Sequence, residues 1–204
     1  MSDIIFTEIQ QLTKIIGPIA MLDLESTTFR GKPNFAITEV CCGLIGPENA
    51  NVDVYTTLVN PEQPIDAAVV SLTGISPKMV ATAPTWGKSG GPLFQKLAKT
   101  HLFSGFNIKT FDCPAIEDMG KKYKVPVGPL KGILDIRYLH KELSGATSLK
   151  GKLLDIAQWY GVYSSDTLHR AEADVMLTFG ILSAMCALYG VEEVAEAAMK
   201  LISK

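Results

Sequence analysis

Cysteine and histidine are scarce in this 204-residue chain, with four of the first and three of the second. Cys41, Cys42, Cys113 and Cys186 show no Cys-x-x-Cys spacing, and His101, His140 and His169 complete no zinc pattern with them. Buried or free thiols are therefore expected. No uninterrupted apolar run reaches the roughly 18 residues a membrane-spanning helix needs. The opening MSDIIFTEIQ also lacks a basic start followed by an apolar segment, so a cytoplasmic protein without a membrane partner is expected. Positive charge is not in excess either. The balance is −2, which excludes a globally basic nucleic-acid coat but leaves room for a local basic track. Neither an internal repeat nor a low-complexity linker divides the chain, and its length suits one α/β domain.

One phosphate-binding motif is missing despite a partial match. Gly87-Lys88-Ser89 resembles the end of a nucleotide-cradling loop, but that motif needs a glycine where Thr82 stands. What basic charge there is concentrates in the middle: residues 109–152 hold nine Lys/Arg against five Asp/Glu, including Lys109, Lys121, Lys122, Lys124, Lys131, Arg137, Lys150 and Lys152. That segment is either a solvated lysine-rich face or a path for phosphates.

The apolar pattern predicts an amphipathic helix in the first sixteen residues, ended by Gly17-Pro18. Strands are expected over Ile19–Glu25, Phe35–Ile45 and Val52–Val59, separated by turn residues close enough together to favour an antiparallel meander. Short helical pieces follow at Val69–Leu72 and Pro77–Val80, and a helix is expected from about Pro92, because Gly90-Gly91 discourages an earlier start. A fourth strand at His101–Asn107, a helix over Cys113–Tyr123 and a short fifth strand near Gly132–Ile136 come next. Helices are then expected over Leu149–Tyr160, Ala171–Tyr189 and Glu192–Ile202. A meander followed by alternating strands and helices implies a five-stranded mixed sheet with helices on both faces.

Three places hold carboxylates in unusual company. In PIAMLDLEST, strand alternation puts Asp23 and Glu25 on one face, where their repulsion is costly unless a cation compensates it. The alternative is a strand that simply ends at the surface. In SGFNIKTFDCP, Asp112 stands where a helix should begin, either as a cap or as a site residue. In LHRAEADVMLTFGIL, Asp174 lies among core-facing residues, and an acid there is expensive without a partner.

Together these segments resemble the DEDDh (DnaQ-like) family of 3′→5′ exonucleases, of the ribonuclease H-like superfamily. The first family motif is matched by LDLESTT with Asp23 and Glu25, the second by GFNIKTFD with Asn107, Phe111 and Asp112, the third by HRAEAD with His169, Ala171 and Asp174. The resemblance covers roughly residues 17–190. It leaves residues 1–16 as an amphipathic extension and 191–204 as a C-terminal helix of a single 1–204 domain. Those two outer helices either cap the domain's own core or dock a partner.

The resemblance implies a ribonuclease H-like fold and hydrolysis of single-stranded DNA or RNA from a free 3′ end to nucleoside 5′-monophosphates. It implies two Mg²⁺ or Mn²⁺ ions on Asp23, Glu25, Asp112 and Asp174, with His169 as general base. Leu24, Ser26, Thr27, Asn107 and Phe111 would contact the substrate end, and Leu24 or Phe29 would wedge under the terminal base. A polymerase or a second copy of the chain is the implied protein partner. A catalytically inactive nucleic-acid-binding or scaffold domain of the same fold is the alternative, and the presence of all four carboxylates and His169 weighs against it.

Overall fold

The computed structural model describes residues 5–163 and 170–202. Five strands form one mixed sheet in the order β3-β2-β1-β4-β5. Strands β1 (Ile19–Ser26), β2 (Ile37–Gly46) and β3 (Asn49–Leu58) make the expected antiparallel meander, while β4 (Leu102–Gly105) runs parallel to β1 and β5 (Ile133–Asp135) parallel to β4. The fold is the α/β mixed sheet that the sequence pattern implies.

β1 is central and apolar on both faces, and its alternation sorts side chains into two cores. Ile19 and Met21 join Cys41 and Ile45 beneath α1 (Thr7–Ile16), α8 (Ala171–Tyr189) and α9 (Val191–Ile202). Ala20, Leu22 and Leu24 join Val40 and Cys42 beneath α4 (Gly90–Leu97) and α5 (Asp112–Tyr123), with Trp86, Phe94 and Phe103. By the same period of two, Asp23 and Glu25 continue the row of Ile19 and Met21, on the face that α8 covers. Helix α1 lays Ile9 and Leu12, both fully buried, against α8 and α9. Each such side chain contributes about 1.5–3 kcal/mol of burial.

Helices α2 (Ala67–Thr73) and α3 (Pro77–Val80) fall where expected. Helices α4, α6 and α7 depart from the expected pattern. Helix α4 starts at Gly90 rather than Pro92. A Cβ on Gly90 would lie 2.5 Å from the Trp86 ring, so the glycine there permits close packing instead of stopping the helix. Helix α6 (Ile136–Ser144) was not anticipated. Asp135 caps it by accepting from the Arg137 N–H at 3.0 Å, and Gly145 closes it in the left-handed conformation at φ +68°. Helix α7 (Leu153–Trp159) begins later than Leu149, because Lys152 is extended and its N–H donates to Asp155 Oδ2 at 2.8 Å.

The 19 residues of α8 are long and apolar enough to cross a membrane by length and composition alone, although Glu172 and Asp174 interrupt the apolar run. In this fold α8 is the core helix instead, packed against β1, β2, α1 and α7. Burial on several sides explains why its apolar residues show no single face. All four cysteines are free thiols, three of them buried, as expected.

Candidate active site

The site is built where β1 runs out of the core. Its last apolar residues hold the strand rigidly in the sheet centre, so Asp23 and Glu25 project from fixed backbone toward the first turn of α8. Asp174 stands in that turn. One carboxylate oxygen from each of Asp23, Glu25 and Asp174 lies within 4.8 Å of the other two, and all three side chains are half-buried.

Asp112 arrives from the opposite core. It is the first residue of α5 and only 3% exposed. Phe111, not Asp112, occupies the cap position, so the capping explanation covers little of its role. Its carboxyl group lies close enough to β1 to interact electrostatically with both Asp23 and Glu25. Its Oδ1 is buried with no hydrogen-bond partner among the described residues.

These groups strain one another electrostatically. Burial, then the charges of Asp112, Asp174, Glu25 and Glu39, hold the Asp23 carboxyl well above the usual carboxylate range. Burial, then Asp174, Glu39 and Asp112, push Glu25 up to about 8, with Arg170 opposing. Asp112 is pushed up to about 8, chiefly by burial. An all-oxygen donor set with surplus negative charge and a buried oxygen lacking a donor suits hard divalent cations such as Mg²⁺ or Mn²⁺. The residues therefore fit the divalent ions that the resemblance implies.

Two carboxylates that sequence reasoning overlooked complete the surroundings. Glu39 of β2 sits directly across from Glu25 and is 1% exposed. Arg170, just before α8, donates to it from Nε at 3.2 and 3.1 Å and from one terminal nitrogen at 2.5 Å, and the Ala171 N–H adds a bond at 3.1 Å. Asp135, fully buried, accepts from the N–H groups of Asn107, Lys109 and Arg137 at 3.0–3.2 Å. It thereby fixes the loop that leads to Asp112. The signal for Glu39 was present in ITEVCC, a lone acid inside an apolar strand.

The expected substrate contacts divide. Leu24 is 4% exposed and belongs to the core beneath α5, whereas Phe29 is 76% exposed just beyond the strand. The Ser26 hydroxyl donates to the Thr28 carbonyl, and the Thr27 hydroxyl donates to the Asn34 carbonyl while accepting from the Ala36 N–H. These hydroxyls shape the turn. Asn107, at φ +62°, accepts on Oδ1 from Arg137 at 3.2 Å, and Phe111 packs edge-on against Phe35. Of the basic middle segment, Lys121 is paired with Glu117 on its own helix, while Arg137 also donates to the Leu149 carbonyl beside Asn107. His169 lies outside the described residues; its neighbour Arg170 is the residue anchored on Glu39.

An acidic trio on a central strand and a crossing helix is a donor set suited to divalent cations. Residues 20–182 match the model of the exonuclease family RNase_T, and the chain belongs to that family. An uncharacterized exonuclease of Escherichia phage 186 is 32% identical over 161 residues, covering 73% of this chain and 79% of the phage protein. Three further relatives at 29–30% identity are much longer, and the chain spans only 26%, 34% and 12% of them. Among solved structures, the nuclease domain of 3′hExo, a DEDDh family member bound to rAMP, superposes with a TM-score of 0.70 at 18% identity, covering 83% of this chain and 92% of that one. Escherichia coli exonuclease I in complex with a dA16 oligonucleotide gives 0.69 at 13% identity, covering 83% and 41%. The resemblance to the DEDDh, DnaQ-like exonucleases with a ribonuclease H-like fold holds.

Proposed function

We propose that the chain is a metal-dependent 3′→5′ exonuclease that removes nucleoside 5′-monophosphates from the free 3′ end of single-stranded DNA or RNA. The observation that carries this reading is the convergence of Asp23, Glu25 and Asp174 within 4.8 Å, with the buried Asp112 held against the same strand. Asp23, Glu25 and Asp174 would hold one divalent ion, and Asp23 with Asp112 a second. Such ions supply a nucleophilic water at neutral pH and positive charge beside the departing 3′ oxygen.

The chain's own residues supply the rest. Asp23 and Glu25 are carried on rigid central-strand backbone, so little reorganisation accompanies the reaction. His169, adjacent to the anchored Arg170, would accept the proton released from the attacking water, since an imidazole titrates near neutral pH. Phe29 offers its exposed ring to the terminal base, while Arg30 is tied to Asp118 at 2.9 Å, which steadies the loop.

The test is cleavage of a 5′-labelled linear oligonucleotide in Mg²⁺ or Mn²⁺. A ladder shortening from the 3′ end, abolished by chelator and by Asp23→Ala, is expected, with circular single strands left intact. Cut circles would replace the exonuclease reading by an endonuclease, and tight binding without cleavage would favour a scaffold domain.

A further inference from the structure

Helix α8 must bring a third carboxyl group, Asp174, to within 4.8 Å of those of Asp23 and Glu25, and the ionised forms of the three repel one another. Most of what seats α8 on the sheet is apolar: Val175, Phe179 and Leu182 are fully buried in one core with Met21 and Cys41. Apolar contact is non-directional, and a charged hydrogen bond defines position more sharply. Repulsion between Asp174 and Glu25 favours a slide of α8 away from the strand.

The Glu39–Arg170 pair opposes it. Glu39 receives both the guanidinium of the residue before the helix and the N–H of Ala171, the first helical residue. Its carboxylate is an anion placed at the positive end of the α8 dipole, yet it is supplied by β2. Two points of α8 are thus tied to a side chain that faces Glu25 across the β1–β2 ladder. A second tie, from the Thr56 hydroxyl of β3 to Glu172 at 3.0 Å, restrains the same turn. Asp174 lies three residues beyond Ala171, about 4.5 Å along the axis, so a shift at the anchor reaches it undiminished.

We infer that Glu39 and Arg170 are a positioning pair that sets the height of α8, and with it the distance of Asp174 from Asp23 and Glu25. The pair also fixes the backbone immediately after His169. This inference rests on the reading of Asp23, Glu25 and Asp174 as a metal site. The effect of the pair runs through the placement of Asp174.

The experiment measures Mn²⁺ binding to substrate-free protein by calorimetry, together with kcat and KM on a linear oligonucleotide. The series is wild type, Arg170→Ala, Arg170→Lys and Glu39→Gln. Loss of a partner behind a metal ligand typically costs about 10–100-fold in metal affinity or activity. Arg170→Ala should fall in that range for both Mn²⁺ affinity and kcat, with oligonucleotide KM nearly unchanged. Arg170→Lys keeps the charge without the fork and should recover part of the loss. Should Arg170→Ala fail to fold, Glu39→Gln and Arg170→Lys carry the same comparison, since each keeps a hydrogen bond at the joint. Folded variants with wild-type Mn²⁺ affinity and kcat would overturn the inference. If the wild type binds Mn²⁺ but cuts no nucleic acid, the exonuclease reading fails while the binding series still tests the pair.

Discussion

Replacing Glu25 by Gln removes one charge from the crowded trio, and the metal-free protein should then gain stability at alkaline pH. Burial and the neighbouring charges of Asp174, Glu39 and Asp112 raise the Glu25 carboxyl from an ordinary 4.5 to about 8. Below pH 4.5 the group is protonated in folded and unfolded chains alike and contributes no difference. Between 4.5 and 8 the folded state keeps a proton that the unfolded state has released, so stability falls as pH rises. At 1.36 kcal/mol per pH unit the loss is complete above pH 8 and on the order of 5 kcal/mol. For a chain of this size that corresponds to a fall in melting temperature of roughly 10 °C or more.

Thermal melts in chelator from pH 5 to 8.5 read this directly. The wild type should lose melting temperature steadily across the range, Glu25→Gln should lose less, and Mg²⁺ or Mn²⁺ should restore the wild type at pH 8 but not the variant. Cleavage should be abolished in the variant at every pH. A flat wild-type profile in chelator, or a variant that falls as steeply, would refute the electrostatic account of the site.

Two further predictions concern the scaffold. Asp135→Ala strands the N–H groups of Asn107, Lys109 and Arg137, each without the acceptor it has now, and should cost about 3 kcal/mol or more in urea denaturation; a loss below about 1 kcal/mol would show the loop is held by something else. Gly43→Ala places a methyl 2.5 Å from the Phe179 ring and about 3 Å from Val52 and Val175. The overpacking between β2 and α8 should cost about 1–3 kcal/mol, and an unchanged denaturation midpoint would show that α8 can move off the sheet freely.

Much of the fold was legible because its signals are local and periodic. Turn residues at 31–34 and 46–49 mark the meander, and the bounds of α8 follow from a run of apolar residues that ends at Gly190. Local signals also misled. Gly90-Gly91 read as a break, when the missing Cβ atoms make room for Trp86, and α6 was missed although Asp135 and Gly145 bracket it with a cap at each end. Side-chain hydrogen bonding was not legible at all: the hydroxyls of Ser26 and Thr27, beside the carboxylates in sequence, hold the turn.

Strand alternation by itself determined that Asp23 and Glu25 share a face, since successive side chains in an extended chain point to opposite sides. It also confined the acids to a short span of one strand. Which face that was, and what met them there, only the tertiary structure decided. Asp112 reaches the site from the first turn of α5, in the opposite core, and Glu39 finds Arg170 131 residues away, because a buried charge takes the partner that packing brings to it. No pattern along the chain encodes such meetings; they exist once α8 has crossed β1 and the two cores have closed around the sheet.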